Sequence, residues 1–131
     1  MAPGATVEDF LAGFFKIFAS KTFRGGDYLE YLNRPNEQRS GDEASIVDRA
    51  IIGPLLDLLG FAPAEQVYNQ QHLNGRPDFA PTDALYSTCF MVEDKSTSRE
   101  LTFELDNPES NLSQLIGYMH SAGVNLGWLT L

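Results

Sequence analysis

Residues 85–95, LYSTCFMVEDK, constrain the fold of this chain most strongly, because they gather aromatic and apolar residues into one run. Such a run is typical of a buried β-strand. It ends in the triplet Glu93-Asp94-Lys95. Since strand side chains alternate between the two faces of a sheet, Glu93 and Lys95 should share one face and Asp94 should occupy the other. The segment therefore predicts a central strand whose end carries two opposite charges on one face.

The segments around this strand predict a mixed α/β arrangement. The predicted order is α–α–β–β–β–α–β, with helices at 7–18, 42–60 and 109–122 and strands at 65–71, 77–80, 85–95 and 124–131. Asp42 is a candidate cap of the second helix, Gly60 is its candidate stop, and Pro54 should bend or split it. A strand hairpin followed by a helical crossover to another strand predicts an α+β mixed sheet flanked by helices.

Chain length and composition predict one soluble domain without a membrane segment. The 131 residues are enough for about one domain. The first helix has Glu8 and Asp9 ahead of its apolar residues, which is the wrong sign for a signal peptide. The single cysteine, Cys89, excludes an internal disulfide, fits a reducing cytoplasm, and is predicted to be a small buried hydrophobe.

The last predicted strand ends with the chain itself, without a further helix to cover it. We therefore expect this sequence to be a fragment of a larger protein. Residues 1–41 are predicted to form an N-terminal helix and loop extension, and residues 42–131 to form the core.

Three charged residues form the candidate site. Asp78 precedes Glu93 by a spacing that suits the neighbouring strand of a hairpin. Two carboxylates on adjacent strands can hold a hard cation such as Mg²⁺, and a lysine beside them can orient a water molecule or stabilise charge on a phosphate. On these residues alone, a polar strand end with an acid in a turn is the favoured interpretation.

The wider pattern resembles a known family. The segment RPDFAP, followed by MVEDKST and then NLSQLIGYMHSAGVNLGWLT, is similar to the PD-(D/E)xK nuclease superfamily. The similarity includes the Q-x-x-x-Y element found in nuclease domains of type I and type IIG restriction enzymes. The motif residues are Pro77-Asp78, Glu93-Asp94-Lys95, and Gln114 with Tyr118. The resemblance covers about residues 42–131 and implies a restriction-endonuclease-like core of one helix, three strands, a helix and a strand.

The resemblance implies a metal-dependent DNA endonuclease with Asp78, Glu93 and Lys95 in its active site. Asp78 and Glu93 would bind Mg²⁺, with Mn²⁺ as a substitute, and Lys95 would act in catalysis. Such nucleases often add an acid from the first core helix, for which Glu43 and Asp48 are candidates. At about 100° per residue, Glu43 lies at the edge of the inward face and Asp48 on the far flank, which favours Glu43. An acid in a first helical turn is also favoured by the helix dipole alone.

Gln114 and Tyr118 lie four residues apart and therefore share one face of the last helix. This face is clear of the predicted apolar stripe, which consists of Leu112, Leu115, Ile116 and Met119. The resemblance links the pair to contacts with the active site and with DNA. The alternative is an ordinary half-exposed glutamine and tyrosine.

The net charge of −9 argues against a surface that binds duplex DNA by itself, because phosphate contacts need lysine and arginine. The resemblance implies a cleavage module of a restriction-modification or phage-defence protein in a prokaryotic cytoplasm. Other domains or subunits would position the DNA, and a dimer would serve double-strand cleavage. The alternatives are a catalytically silent nuclease fold that binds DNA or protein as a scaffold, and an unrelated α/β interaction domain.

Overall fold

Helices and two short strands make up the regular structure of the chain. A computed structural model describes residues 6–70, 76–83, 85 and 87–131. In chain order the elements are α1 (Val7–Ala19), α2 (Tyr28–Leu32), a 3₁₀ turn (Asn36–Arg39), a π-helix (Glu43–Ile52), α3 (Gly53–Leu58), a second 3₁₀ turn (Pro63–Gln66), β1 (Met91–Asp94), α4 (Asn111–Ala122) and β2 (Gly127–Thr130). None of the helices in the described ranges combines the length and apolar character that a bilayer crossing requires.

Local capping explains where α1 and α4 begin and end. The hydroxyl of Thr6 accepts a hydrogen bond from the Asp9 amide at 3.1 Å, and the Asp9 carboxylate accepts one from the Thr6 amide at 3.0 Å. Ser110 caps α4 by accepting from the amide of Ser113, and Gly123 ends α4 in the left-handed conformation with φ of 67°. The predicted helices at 7–18 and 109–122 are confirmed within two residues at each end.

The second predicted helix forms, but its first part is a π-helix. The hydrogen bonding changes from the π to the α pattern at Gly53, one residue before Pro54. The amide of Gly53 donates to the carbonyl of Asp48, five residues earlier. Pro54 therefore coincides with a change of helix type in a continuous helical segment. Asp42 makes no side-chain cap bond, so its predicted capping role is wrong.

The sheet is smaller than predicted. Strand β1 pairs in parallel with β2, with Met91 opposite Gly127 and Asp94 opposite Thr130. Antiparallel bridges extend this pairing on the other side of β1, where Phe79 pairs with Val92. Tyr68 in turn pairs with Phe79. In the described ranges, the predicted strands at 65–71 and 77–80 are represented only by the bridges of Tyr68 and Phe79. The predicted strand at 85–95 contributes β1 and a bridge from Thr88 to Thr82.

Backbone conformation explains why the segment 65–71 is not a strand. The turn Pro63–Gln66 is helical, and Val67 and Asn69 both have positive φ angles, of 49° and 53°. Positive φ is incompatible with an extended strand, and it is unusual for a β-branched residue. Residue 71 lies outside the described residues, as do residues 84 and 86 of the neighbouring segments.

The core joins the N-terminal extension to the rest of the chain. Phe23 and Tyr31 pack in one buried cluster with Val47, Leu56 and Val92. A second buried cluster lies under α4 and contains Ala80, Met91, Leu115 and Val124. Residues 1–41 therefore contribute buried side chains to the core that residues 42–131 build.

Cys89 does not belong to either cluster. Its side chain is exposed, so its predicted burial is wrong. Cys89 lies two residues before β1, where the backbone is not paired as a regular strand, and its neighbour Phe90 is the residue that turns inward.

Candidate functional site

Asp78 is placed at the end of β1 by the bridge that follows it in the chain. Because Phe79 pairs with Val92, the preceding residue lies beside the carboxyl end of β1. The amide of Asp94 donates a hydrogen bond of 2.7 Å to Oδ2 of Asp78. Two residues that are far apart in the sequence are therefore joined by a hydrogen bond, although the hairpin spacing predicts a meeting of Asp78 with Glu93 rather than with Asp94.

Glu93 and Lys95 form a buried ion pair. Nζ of Lys95 lies 2.6 Å from Oε1 of Glu93, and the two side chains are 14% and 5% exposed. Burial raises the pKa of Glu93, and the bond to Lys95 offsets only part of this effect. Burial alone would lower the pKa of Lys95, but the bond to Glu93 and the surrounding acids raise it above its ordinary value. Lys95 is therefore an ammonium at neutral pH.

Three carboxylates converge beside this pair. Glu43, Asp78 and Asp94 each place one carboxylate oxygen within 4.8 Å of the others. Glu43 comes from the start of the π-helix, Asp78 from the bridge segment and Asp94 from β1. The structure thus brings the predicted residues Glu43 and Asp78 together, and it adds Asp94, which sequence reasoning had placed on the opposite face.

Asp48, the candidate that the helical angles placed on the far flank, is a neighbour of Asp94. It is 3% exposed, and its Oδ2 accepts a hydrogen bond of 2.8 Å from the hydroxyl of Tyr68. The π-helix explains its position, because each amide bonds to the carbonyl five residues earlier and residues five apart lie on nearly the same face. Glu43 and Asp48 are five apart, whereas α-helical angles separate them widely. A π-helix has no sequence signature comparable to a cap, so the sequence did not reveal this placement.

Gln114 and Tyr118 border the site from α4. Gln114 lines a cavity of about 280 Å³ together with Lys95 and Arg99, and its Nε2 donates to the carbonyl of Glu109 at 3.2 Å. Burial, followed by the charge of Glu93, raises the pKa of Tyr118. Both residues therefore lie near the Glu93–Lys95 pair, and Tyr118 keeps its hydroxyl proton at neutral pH.

Several buried carboxylate oxygens at the site have no hydrogen-bond donor within the described part of the chain. They are Oδ1 of Asp48, Oε2 of Glu93 and both oxygens of Asp94. Burying an unpaired carboxylate is costly, so these groups must either keep a proton or meet a cation. The donor set consists of oxygen ligands, which Mg²⁺ and Mn²⁺ prefer. The residues present thus fit a hard divalent cation.

The crowding of acids predicts an unusual pH dependence of stability. Burial, followed by the charge of Glu93, raises the pKa of Asp78 to about 8. In the unfolded chain this carboxyl group ionises near pH 4. Between these two values the native state holds a proton that the unfolded state has lost, so stability falls as the pH rises through this window.

In EDTA, we expect the melting temperature to be about 3–8 °C lower at pH 8.5 than at pH 6, which corresponds to about 1–2 kcal/mol after allowance for solvent screening. Scanning calorimetry measures this difference. Asp78→Asn should reduce it, whereas Asp106→Asn, at an exposed position, should leave it unchanged. A melting temperature that rises from pH 6 to pH 8.5 would contradict the raised pKa.

No protein-family model, curated protein or solved structure matches this chain. The functional assignment therefore depends on the chemistry of the residues described above.

Proposed function

We propose that this chain is a Mg²⁺-dependent DNA endonuclease domain of the PD-(D/E)xK type. The observation that carries the proposal is the convergence of Glu43, Asp78 and Asp94 beside the buried Glu93–Lys95 pair. A scaffold or an interaction domain gains nothing from burying several acids without partners, because each one costs free energy of folding. A hydrolase that needs a divalent cation has a use for all of them.

The order of pairing supports the same core. Tyr68, Phe79, β1 and β2 follow one another as antiparallel, antiparallel and parallel neighbours. This is the order that the restriction-endonuclease-like core requires for its three strands and its last strand, here with short pairings. The acids lie at the carboxyl end of β1, where Asp78 accepts a hydrogen bond from the Asp94 amide.

Each motif residue has a role that fits its surroundings. The resemblance assigns Asp78, Glu93 and the helix acid Glu43 to the cation, and Asp78 and Glu43 converge with Asp94. When bound, Mg²⁺ supplies Lewis-acid chemistry at the phosphoryl group and makes water more acidic. Lys95 carries a positive charge that can donate hydrogen bonds to a phosphate oxygen, and Glu93 holds its ammonium in place.

The face of α4 beside the site is suited to hold the DNA backbone. Tyr118 can donate a hydrogen bond to a phosphate because its hydroxyl remains protonated. Gln114 and Arg99 line the cavity next to Lys95 and offer further donors. The exposed Arg99 adds a second positive charge to that of Lys95 in this cavity.

Because the chain is acidic, we expect it to bind DNA weakly by itself, and a test of cleavage must therefore bring it to a defined DNA site. We therefore propose to fuse the chain to a sequence-specific DNA-binding domain and to incubate the fusion with a plasmid that carries one target sequence. We expect nicks near the target in Mg²⁺ or Mn²⁺ and none in EDTA. Fusions that bind the target but leave it intact in both metals would support the catalytically silent scaffold instead.

We further propose that this domain is the cleavage module of a restriction-modification or phage-defence system in a prokaryotic cytoplasm. Its charge of −9 weakens non-specific DNA binding and so restricts cleavage to sites where other domains or subunits place it. Double-strand cleavage by one site per chain would use a dimer on the DNA.

A further inference from the structure

Asp94 is the acid at the site whose side chain is least explained by its protein contacts. It is fully buried, at 0% exposure, and neither carboxylate oxygen has a hydrogen-bond donor within the described residues. Burial, followed by the neighbouring carboxyl group of Asp48, raises its pKa above the ordinary value. Such an aspartate either shares a proton with the neighbouring carboxyl group of Asp48 or meets a cation.

Glu93 is in a different situation. Its Oε1 already accepts a hydrogen bond from the Lys95 ammonium at 2.6 Å. A divalent cation at Glu93 would have to share this carboxylate with a positive charge in direct contact, and like charges at such a distance repel strongly. Oε2 of Glu93 has no donor in the described part of the chain, but Glu93 is not among the residues whose oxygens converge with those of Glu43 and Asp78. We therefore expect it to hold Lys95 in place.

The geometry favours Asp94 for a further reason. Its oxygen, together with those of Glu43 and Asp78, lies within a set that spans 4.8 Å. Oxygens that share an octahedral Mg²⁺ are about 3 Å apart when adjacent and about 4.2 Å apart when opposite, so the three carboxylate oxygens need to approach one another by at most about 2 Å to share one ion. The bond from the Asp94 amide to Asp78 already fixes the two residues relative to each other.

We infer that Asp94, rather than Glu93, completes a divalent-cation site with Glu43 and Asp78, while Glu93 positions Lys95. The inference rests on the proposed metal-dependent function and deepens it. In this chain the middle residue of the Glu-Asp-Lys triplet binds the ion, and the two flanking residues form the ion pair beside it. Asp94 then binds the cation, whereas Lys95 acts in catalysis and Glu93 positions it.

Isothermal titration of the isolated chain with Mn²⁺ at pH 8 tests the assignment without relying on activity. We expect Asp94→Asn to weaken Mn²⁺ binding at least about tenfold, and Glu93→Gln to change it by less than about threefold. Asp106→Asn, an exposed acid, is the matched control and should bind as the wild type does. Thermal unfolding of each variant in EDTA verifies that it folds.

Two results would overturn the assignment: Glu93→Gln that loses Mn²⁺ binding, or Asp94→Asn that binds Mn²⁺ as the wild type does. Should Asp94→Asn fail to fold, Glu93→Gln alone still decides between the two ligand sets. Wild-type protein that binds no Mn²⁺ but cleaves DNA as a fusion would remove this inference and leave the nuclease. A wild type that binds Mn²⁺ through Asp94, in a fusion that never cleaves, would remove the nuclease and leave the metal site.

Discussion

Lys95→Ala should reduce metal-dependent cleavage by the fusion protein about 10²- to 10⁴-fold, which is the usual effect of removing a group that transfers a proton or stabilises charge in the transition state. Initial rates of plasmid nicking in Mg²⁺ measure the effect. Lys16→Ala is the matched control, because Lys16 is an exposed lysine on α1. We expect this control to cleave at the wild-type rate.

The Lys95 substitution also has a structural cost that must be separated from catalysis. It leaves the Glu93 carboxylate, whose side chain is 5% exposed, without its partner. Removing one member of a buried pair costs about 3 kcal/mol, whereas replacing both members by neutral groups of similar size is often close to neutral. The double variant Glu93→Gln/Lys95→Met should therefore unfold at nearly the same denaturant concentration as the wild type.

The comparison of these variants identifies the role of Lys95. If the double variant is as stable as the wild type and still fails to cleave, the loss is catalytic. If Lys95→Ala cleaves DNA at the wild-type rate, Lys95 has no catalytic role and the proposed nuclease mechanism is wrong. Recovery of activity in the double variant would mean that the single variant had lost only its folded structure.

Elements that are stabilised by nearby residues in the sequence could be predicted, and elements that depend on distant residues could not. Helices α1 and α4 could be predicted because their caps, Thr6 with Asp9 and Ser110 with Gly123, act within a few residues. The apolar run before Glu93 predicted a strand, but only Met91–Asp94 has a paired neighbour along its length. Pairing depends on which distant segment meets the strand, and local composition does not contain that information.

The sequence predicted which types of residue form the candidate site better than it predicted how they are arranged. Asp78 and Glu43 reach one cluster, as the motif and the helical angles suggested. Asp48 was set aside because the helical angles assumed an α-helix. Asp94 was missed because strand alternation assumes that the two faces of a strand stay apart up to its end. Both assumptions describe regular elements, and the site lies in a π-helix and at the end of β1, where regular geometry stops.

Asp42 offers the largest expected effect on stability outside the site. This acid is fully buried, and its Oδ1 accepts a hydrogen bond of 2.9 Å from the Thr97 amide. The hydroxyls of Thr97 and Tyr31 both donate to its Oδ2. Asp42 therefore connects α2, the start of the π-helix and the segment that follows β1, and these are the parts that hold Glu43 next to Lys95.

Asp42→Ala should lower the free energy of unfolding by about 3–5 kcal/mol, because it leaves three buried donors without an acceptor. Urea denaturation at pH 7 measures the loss. The exposed acid Asp106 is the control, and Asp106→Ala should change stability by less than about 0.5 kcal/mol. Tyr31→Phe removes only one donor, so we expect it to cost about 1 kcal/mol in the wild type and much less in the Asp42→Ala background.

The pH dependence of this loss of stability measures independently how much the ionised Asp42 carboxylate contributes to the free energy of unfolding. Burial alone would raise the pKa of Asp42, but the hydrogen bonds that it accepts outweigh burial and lower it. A lowered pKa means that the stabilisation by Asp42 is fully present above the ordinary carboxyl pKa, near 4, and is lost as the pH falls through the native value. The difference in stability between wild type and Asp42→Ala should therefore shrink below about pH 4. A difference that stays constant from pH 7 to pH 3 would mean that the ionised form of Asp42 does not contribute.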